Sequence, residues 1–433
     1  MTLTFLHTSD WQLGMTRHYL ARRRGAEDDS QARFSSDRID AVRRMGELAR
    51  DRHCAFVLVA GDVFETQNVS RQVISRACSA MASIGLPVLL LPGNHDSLEP
   101  GCIWDRADFV QACPDNVTVL RDSAPIRIDC SASADGAGSS GSGGGAVEVI
   151  GVPLRSRHPS ADPVAPVLDE LAERSERGEL DGDVTRILVA HGQLPGLSGQ
   201  DAGDVVIDKA ALDAAVADGM VSYVALGDRH IRWPEDPSSP IRYCGTQETT
   251  RFTDPGRGSV DLVEIDEGRV RATALPVGRW LHARVSRQMS TEEDVDALAA
   301  ELASFDDPAR TIIRYDLHGG LTVSQNARLE SVLDSQADNF ASLEPSEDRH
   351  DLVVLPDTED LAGLDLPSWA ASAAQELTEW ASPAGSGPGL TSTGSAASGP
   401  TTSSPPPTAS TAADALGLLR RLTDQISITG AGR

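Results

Sequence analysis

Leu89-Leu90-Leu91-Pro92-Gly93-Asn94-His95-Asp96 is the stretch that decides the fold of this chain. An apolar strand runs into a Gly turn, which then presents an amide, an imidazole and a carboxylate in consecutive positions. A strand that is apolar on both faces belongs in the middle of a parallel sheet, and α/β proteins place their ligands at the carboxyl ends of such strands. Asn94 offers a metal a neutral oxygen, His95 titrates near neutrality, and Asp96 is a carboxylate able to hold the imidazole in one tautomer. An ordinary polar turn has the same look, so the stretch has to be weighed with its neighbours.

Upstream, residues 3–8 form a short apolar strand ending in Ser9-Asp10-Trp11-Gln12-Leu13-Gly14. An arginine-rich stretch follows (Arg17, Arg22, Arg23, Arg24, Arg33, Arg38), which as a basic loop suits either a phosphate backbone or solvent. Helical spacing of Ile39, Val42, Met45 and Leu48 predicts a helix from 37 to about 52. A buried strand over 55–60 closes in Gly61-Asp62-Val63-Phe64-Glu65, and a helix over 70–84 leads into the opening strand. This is the βαβαβ pattern of a right-handed parallel crossover sheet. Downstream, a helix is expected over 103–112, then short strands near 117–120 and 126–128. Residues 131–145 are almost entirely Ser, Gly, Ala and Asp and read as a flexible insert before a strand over 147–152. Two further buried strands end in His191-Gly192 and in Gly227-Asp228-Arg229-His230. Segments 241–244, 259–265 and 270–275 read as antiparallel strands completing a second sheet.

The texture changes near Arg279. The sequence implies a main domain over 1–278, a small α+β unit over 279–358, a helical segment over 359–381, a Pro/Gly/Ser/Thr linker over 382–412 and a terminal helix over 413–433. That helix carries Leu416, Leu419, Leu422 and Ile426 on one face, which suits docking on a partner or packing within the chain. The α+β unit has no dense polar cluster and is assigned to substrate capping or partner contact.

Composition narrows the class. At 433 residues, 40% hydrophobic and 24% charged, the chain can bury a full core. No run approaches the roughly 18 apolar residues of a membrane span, and the first residues enter a strand with no leader pattern, so a cytoplasmic protein without membrane contact is expected. The six cysteines form no CxxC pair and read as reduced thiols. A net charge of -26, with Lys209 the only lysine, means that affinity for a polyanion has to come from local arginines or from a partner.

Five strands thus end in Asp10 with Gln12, in Asp62, in Asn94 with His95 and Asp96, in His191, and in Asp228 with His230. Convergence of such ends in a parallel sheet would gather O and N donors in one pocket. Mixed carboxylate, amide and imidazole ligation favours Mn, Fe or Zn over Ca or Mg. A two-metal site of this kind activates water for in-line phosphoryl displacement.

His7-Thr8-Ser9-Asp10-Trp11-Gln12-Leu13-Gly14, Gly61-Asp62-Val63-Phe64, Gly93-Asn94-His95-Asp96, His191-Gly192 and Gly227-Asp228-Arg229-His230 resemble the five motifs of the calcineurin-like metallophosphoesterases. Trp11-x-Leu13-Gly14, Val63-Phe64 and Tyr243-Cys244-Gly245-Thr246 resemble its DNA-repair nuclease branch, the SbcD-type subunits. The resemblance implies an α/β fold, a two-sheet sandwich flanked by helices with a small α+β capping domain behind it. It implies a two-metal DNA exo/endonuclease, most simply with manganese (iron or zinc as alternatives), acting on DNA as a homodimer with an SbcC-like ATPase. Carried over by position, Asp10, Gln12, Asp62 and His230 would hold one metal, and Asp62, Asn94, His191 and Asp228 the other. His95 would protonate the leaving 3′ oxygen or stabilise the transition state, oriented by Asp96.

Two positions depart from the family pattern. Gln12 stands where the family usually has His, and Asp228 where Gly-His-x-His is usual, so one ligand is weakened and the other is harder and more negative. Hydrolysis of a small phosphodiester or a phosphoprotein, and a non-catalytic scaffold, are the competing readings.

Overall fold

The computed structural model describes residues 2–21, 29–129, 146–197 and 205–355, with isolated positions beyond. The insert at 131–145, the linker at 382–412 and, apart from those isolated positions, the helical segments at 359–381 and 413–433 lie outside the described residues. The chain divides into two compact units, Met1–His282 and Ala283–Arg433.

In the first unit the elements follow in chain order. They are β1 (Leu3–Thr8), a short α1 (His18–Ala21), α2 (Ser30–Asp51), β2 (Val57–Val59), α3 (Arg71–Ile84), β3 (Val88–Leu90), α4 (Ala107–Ala112), β4 (Val117–Val119) and β5 (Ile126–Asp129). After them come β6 (Ala146–Val152), α5 (Ala165–Glu176), β7 (Thr185–His191), α6 (Lys209–Ala217), β8 (Tyr223–Gly227), β9 (Ile241–Tyr243), β10 (Ser259–Asp266) and β11 (Arg269–Pro276). One six-stranded sheet has the order β11-β10-β1-β2-β3-β4 and a five-stranded one the order β5-β6-β7-β8-β9.

The period of two in these strands explains the layering. Phe5, Phe56, Leu58 and Leu89 point one way and meet Val149, Ile187, Val189 and Tyr223 of the second sheet, with Phe5 stacked on Phe56 at 4.9 Å. Leu6, Val57, Val59 and Leu90 point the other way, under Val42 and Met45 of α2 and Ile74 and Met81 of α3. Ile150, Leu188 and Val224 do the same beneath α5 and α6. Each such side chain, fully buried, contributes about 1.5–3 kcal/mol. The central strands β1, β2, β3, β6, β7 and β8 are covered on both faces, which is why they read as unbroken apolar runs, whereas the edge strand β11 alternates buried with exposed.

Three expectations are corrected. The segments 241–244, 259–265 and 270–275 do not complete one antiparallel sheet. β9 runs parallel to β8 in the second sheet, while β10 and β11 form a hairpin that flanks β1 in the first. Glu267 and Gly268, at φ 49 and 77, make the tight turn whose twist suits such a hairpin. Alternation identifies the strands but not the sheet edge that accepts them. Second, α2 begins at Ser30, with the Asp29 side chain accepting from Ala32 N. Its first turns are too polar to show periodicity, and much of the stretch read as a basic loop is helix. Third, the helix expected over 103–112 breaks at Arg106 into a 3-10 turn, Ile103–Asp105, and α4.

The second unit is a small sheet of β12 (Leu281–Met289), β13 (Thr311–Thr322), β14 (Ser342–Pro345) and β15 (Asp351–Leu355), with α7 (Glu292–Ala303) and α8 (Val323–Ala337). β14 pairs with the first half of β13 and β15 with the second, both in parallel. Thr291 caps α7 and Thr322 caps α8, each in a reciprocal capping box. Val295, Leu298, Ile313, Leu317 and Phe340 form its core.

Candidate metal centre

The strand ends meet, but across the sandwich rather than along one sheet. Asp10, Asp62 and the Asn94–Asp96 turn leave β1, β2 and β3 of the first sheet, and His191 and Asp228 leave β7 and β8 of the second. Asp10, Asp62 and His191 are wholly buried, and their ligand atoms lie within 4.8 Å of one another.

Local backbone geometry puts them there. Among the described residues, six non-glycine positions have positive φ, and four are Asp10 (54), Gln12 (44), Asp62 (54) and Asp228 (89). Left-handed backbone at a non-glycine residue costs on the order of 1–3 kcal/mol and persists only where its surroundings enforce it. Here main-chain bonds do so: Asp10 N donates to Gly61 O at 3.0 Å, and Gln12 N to Asp62 O at 2.8 Å. The glycines permit close approach, because a Cβ on Gly93 would sit 2.3 Å from Asp62 Oδ1 and one on Gly61 2.1 Å from His191 Nδ1.

His191 Nδ1 donates to Ala60 O at 2.8 Å, which turns Nε2 towards Asn94 Oδ1 at 3.0 Å, Asp62 Oδ1 at 3.4 Å and Asp228 Oδ1 at 3.7 Å. His230 bonds the Thr250 hydroxyl through Nδ1, and its Nε2 lies 3.6 Å from Asp10 Oδ1 and 3.3 Å from Gln12 Nε2. Ser9 Oγ donates to Asp10 Oδ2 at 2.6 Å. All seven residues proposed from sequence as ligands therefore lie in this one set of contacts.

Electrostatics point the same way. Burial, with added repulsion from Asp62 and Asp228, pushes the Asp10 carboxyl up to about 7. Burial opposes the charge on Asp62 as well, yet the His191 imidazole beside it holds that carboxyl down at about 2. Burial lowers and the surrounding carboxylates raise His191, with the carboxylates winning, so its pKa lies well above the usual imidazole value. A buried pocket of like charges that draws a proton onto its one central imidazole is short of positive charge. Gln12 Oε1 is buried with no hydrogen-bond partner, an orphan acceptor of the kind a cation satisfies. On both counts the residues fit divalent ions.

The expected role of Asp96 is corrected. Asp96 does not contact His95; its two oxygens accept from Phe64 N at 3.0 Å and Gly93 N at 2.7 Å and tie the two loops together. The group that orients His95 is the main-chain carbonyl of Glu65, bonded to Nδ1 at 2.7 Å. Sequence cannot show a carbonyl in that role. Burial is the largest influence on His95 and lowers its pKa, but Asp62, with Oδ2 at 3.9 Å from Nε2, the bond to the Glu65 carbonyl and the Glu65 charge together outweigh it and raise the pKa. His95 N donates to Asp62 Oδ1 at 3.0 Å, so the same residue fixes that carboxylate through its backbone.

Among the loop arginines, Arg38 is wholly buried and clamps the site from behind, giving Nη2 to Trp11 O at 2.7 Å and Nη1 to Glu248 O at 3.3 Å. Arg17 donates to Thr250 O at 2.7 Å. Among the described residues, two exposed arginines act on the imidazoles of the site, Arg157 on His95 and Arg251 on His230. Neither stands in a motif, and no sequence signal marks them. Trp11 is wholly buried, with Nε1 bonded to Thr8 Oγ1 at 2.9 Å, and is packing beneath the site.

Buried Asp10, Asp62 and His191, with Asn94 beside them, at the strand ends of a two-sheet sandwich form the donor set expected of a metal-dependent phosphoester hydrolase. The family model for calcineurin-like phosphoesterases matches residues 3–232, and the chain belongs to that family, whose members bind divalent metals. It is 27% identical over 99 residues to the SbcD subunit of the SbcCD nuclease of Bacillus subtilis, a match covering 22% of each chain. It is 27% identical over 126 residues to the uncharacterized metallophosphoesterase YhaO of the same organism, covering 28% of this chain and 29% of that one. It thus spans less than a third of the length of the curated relatives it matches. Among solved structures, TT1561 of Thermus thermophilus has a TM-score of 0.36 at 12% identity, covering 63% of this chain and 99% of that one. Among the described residues no helix is long and apolar enough to cross a membrane.

Proposed function

We infer that the chain hydrolyses DNA phosphodiesters with two divalent ions, manganese first among them, as the nuclease subunit of an SbcC-SbcD-like repair complex in the cytoplasm. The observation that carries the chemistry is the placement of His95 Nε2 at 3.9 Å from Asp62 Oδ2, beside the ligand cluster and with Nδ1 fixed by Glu65 O. Divalent ions in the cluster would neutralise the phosphate and supply an activated water. The chain's own groups do the rest. Asp62 and Glu65 raise the His95 pKa, and the Glu65 carbonyl holds Nδ1–H, so Nε2–H is the proton offered to the departing oxygen.

The DNA substrate and the ATPase partner are supported by the match to the SbcD subunit of the SbcCD nuclease, by the Trp11-x-Leu13-Gly14 and Val63-Phe64 signatures, and by a second folded unit after His282. A small diester is the competing substrate, favoured by the net charge of -26 and by the inward use of Arg38. With Mn(II), the purified chain is expected to degrade a 3′-labelled duplex and to do so faster with its ATPase partner. Hydrolysis of bis-p-nitrophenyl phosphate with the duplex left intact would favour the small-substrate reading, and no turnover with any metal would favour a scaffold.

A further inference from the structure

The donors fall into two groups of unequal quality. Around His191 Nε2 lie three oxygens, from Asn94, Asp62 and Asp228, at 3.0, 3.4 and 3.7 Å. Around His230 Nε2 lie one carboxylate oxygen, of Asp10 at 3.6 Å, and the amide nitrogen of Gln12 at 3.3 Å. An amide nitrogen has no lone pair to give a cation. The Thr250 hydroxyl donates to Asp254 Oδ2 at 3.2 Å and so accepts from His230 Nδ1–H. The lone pair of His230 is therefore on Nε2, where Gln12 donates to it, while Gln12 Oε1 is buried without a partner. An ion binding at His230 has to displace that amide and recruits Oε1 by turning it over. An ion at His191 displaces no side-chain amide and, with Asp62 common to both ions, meets the Asn94 and Asp228 oxygens where the other meets Asp10 and an amide nitrogen.

We propose that the two half-sites load unequally, with Asp62 shared: an ion at Asn94, His191 and Asp228 binds tightly, an ion at Asp10, Gln12 and His230 binds weakly, and Gln12 is the latch that sets the second affinity. This rests on the two-ion reading above. Its consequence is a chain that carries one ion at low free metal and completes its centre only when the divalent concentration rises.

The test is calorimetric titration of the metal-free full chain with MnCl2. Two classes of one ion each are expected, separated by at least about tenfold, since changes around a metal site alone shift affinity by roughly 10–100-fold. Gln12→Glu, which is isosteric and turns the latch into a carboxylate, is expected to tighten the weak class about tenfold or more. The tight class remains and reports that the variant is folded. Asp228→Asn is expected to weaken the tight class instead. Two equal classes in the unaltered chain, or Gln12→Glu acting on the tight class, would overturn the proposal while leaving two-ion binding intact. Failure to bind any Mn(II) would overturn both.

Discussion

Replacing His95 by Asn is expected to lower kcat by about 10²- to 10⁴-fold, the usual worth of a positioned proton donor, with bound metal unchanged. The separation of the two effects follows from how His95 is used. Its backbone N–H holds Asp62 Oδ1 at 3.0 Å, and that bond survives the substitution. Its ring is bonded to Glu65 O and stands beside Asp62 Oδ2 without belonging to either group of ligands. Activity measured on a small diester, with metal analysis of the same sample, checks both halves. Unchanged turnover would remove His95 from the chemistry, and lost metal would make it a ligand.

Gly227→Ala is expected to disassemble the centre. A Cβ at this position would lie 1.8 Å from Ala60 O and 2.7 Å from His191 Nδ1, on the hydrogen bond that aims His191. The nearer atom is main chain in the facing sheet, so no rotamer change relieves the clash, and the two sheets have to part. Overpacking against side chains costs about 1–3 kcal/mol; against backbone the upper end, about 3 kcal/mol or more, is expected, together with loss of bound metal. Gly178→Ala is the control. At φ 68 with nothing within 4 Å of a Cβ, it carries only left-handed strain, about 1 kcal/mol, and should leave metal content unchanged. Urea unfolding and metal analysis distinguish the two variants.

The ligands were legible because each follows an apolar run that only a covered strand explains, and Asp10, Asp62, Asn94, His191 and Asp228 were placed by that rule. The rule is silent on which sheet a strand joins. It took the five ends for neighbours along one sheet, whereas His191 and Asp228 face Asp10 and Asp62 across the core. It also gave β10 and β11 to the wrong sheet, since their alternation fits either edge. Main-chain contributions were invisible for a different reason. The Glu65 carbonyl behind His95 and the amides of Phe64 and Gly93 on Asp96 carry no side-chain signature, so adjacency in sequence paired Asp96 with the wrong partner. Arginine content misled in the same way, because Arg38 was counted with the arginines of a basic loop suited to a phosphate backbone or solvent and is instead a buried brace on α2.

The most direct test of the central claim is an anomalous difference map from crystals grown with MnCl2. Two peaks are expected roughly 3.5–4 Å apart, one beside His191 Nε2, Asn94 and Asp228, the other beside His230 Nε2 and Asp10, with Asp62 reaching both. Manganese bound elsewhere, or a map without a peak between Asp62 and His191, would contradict the account.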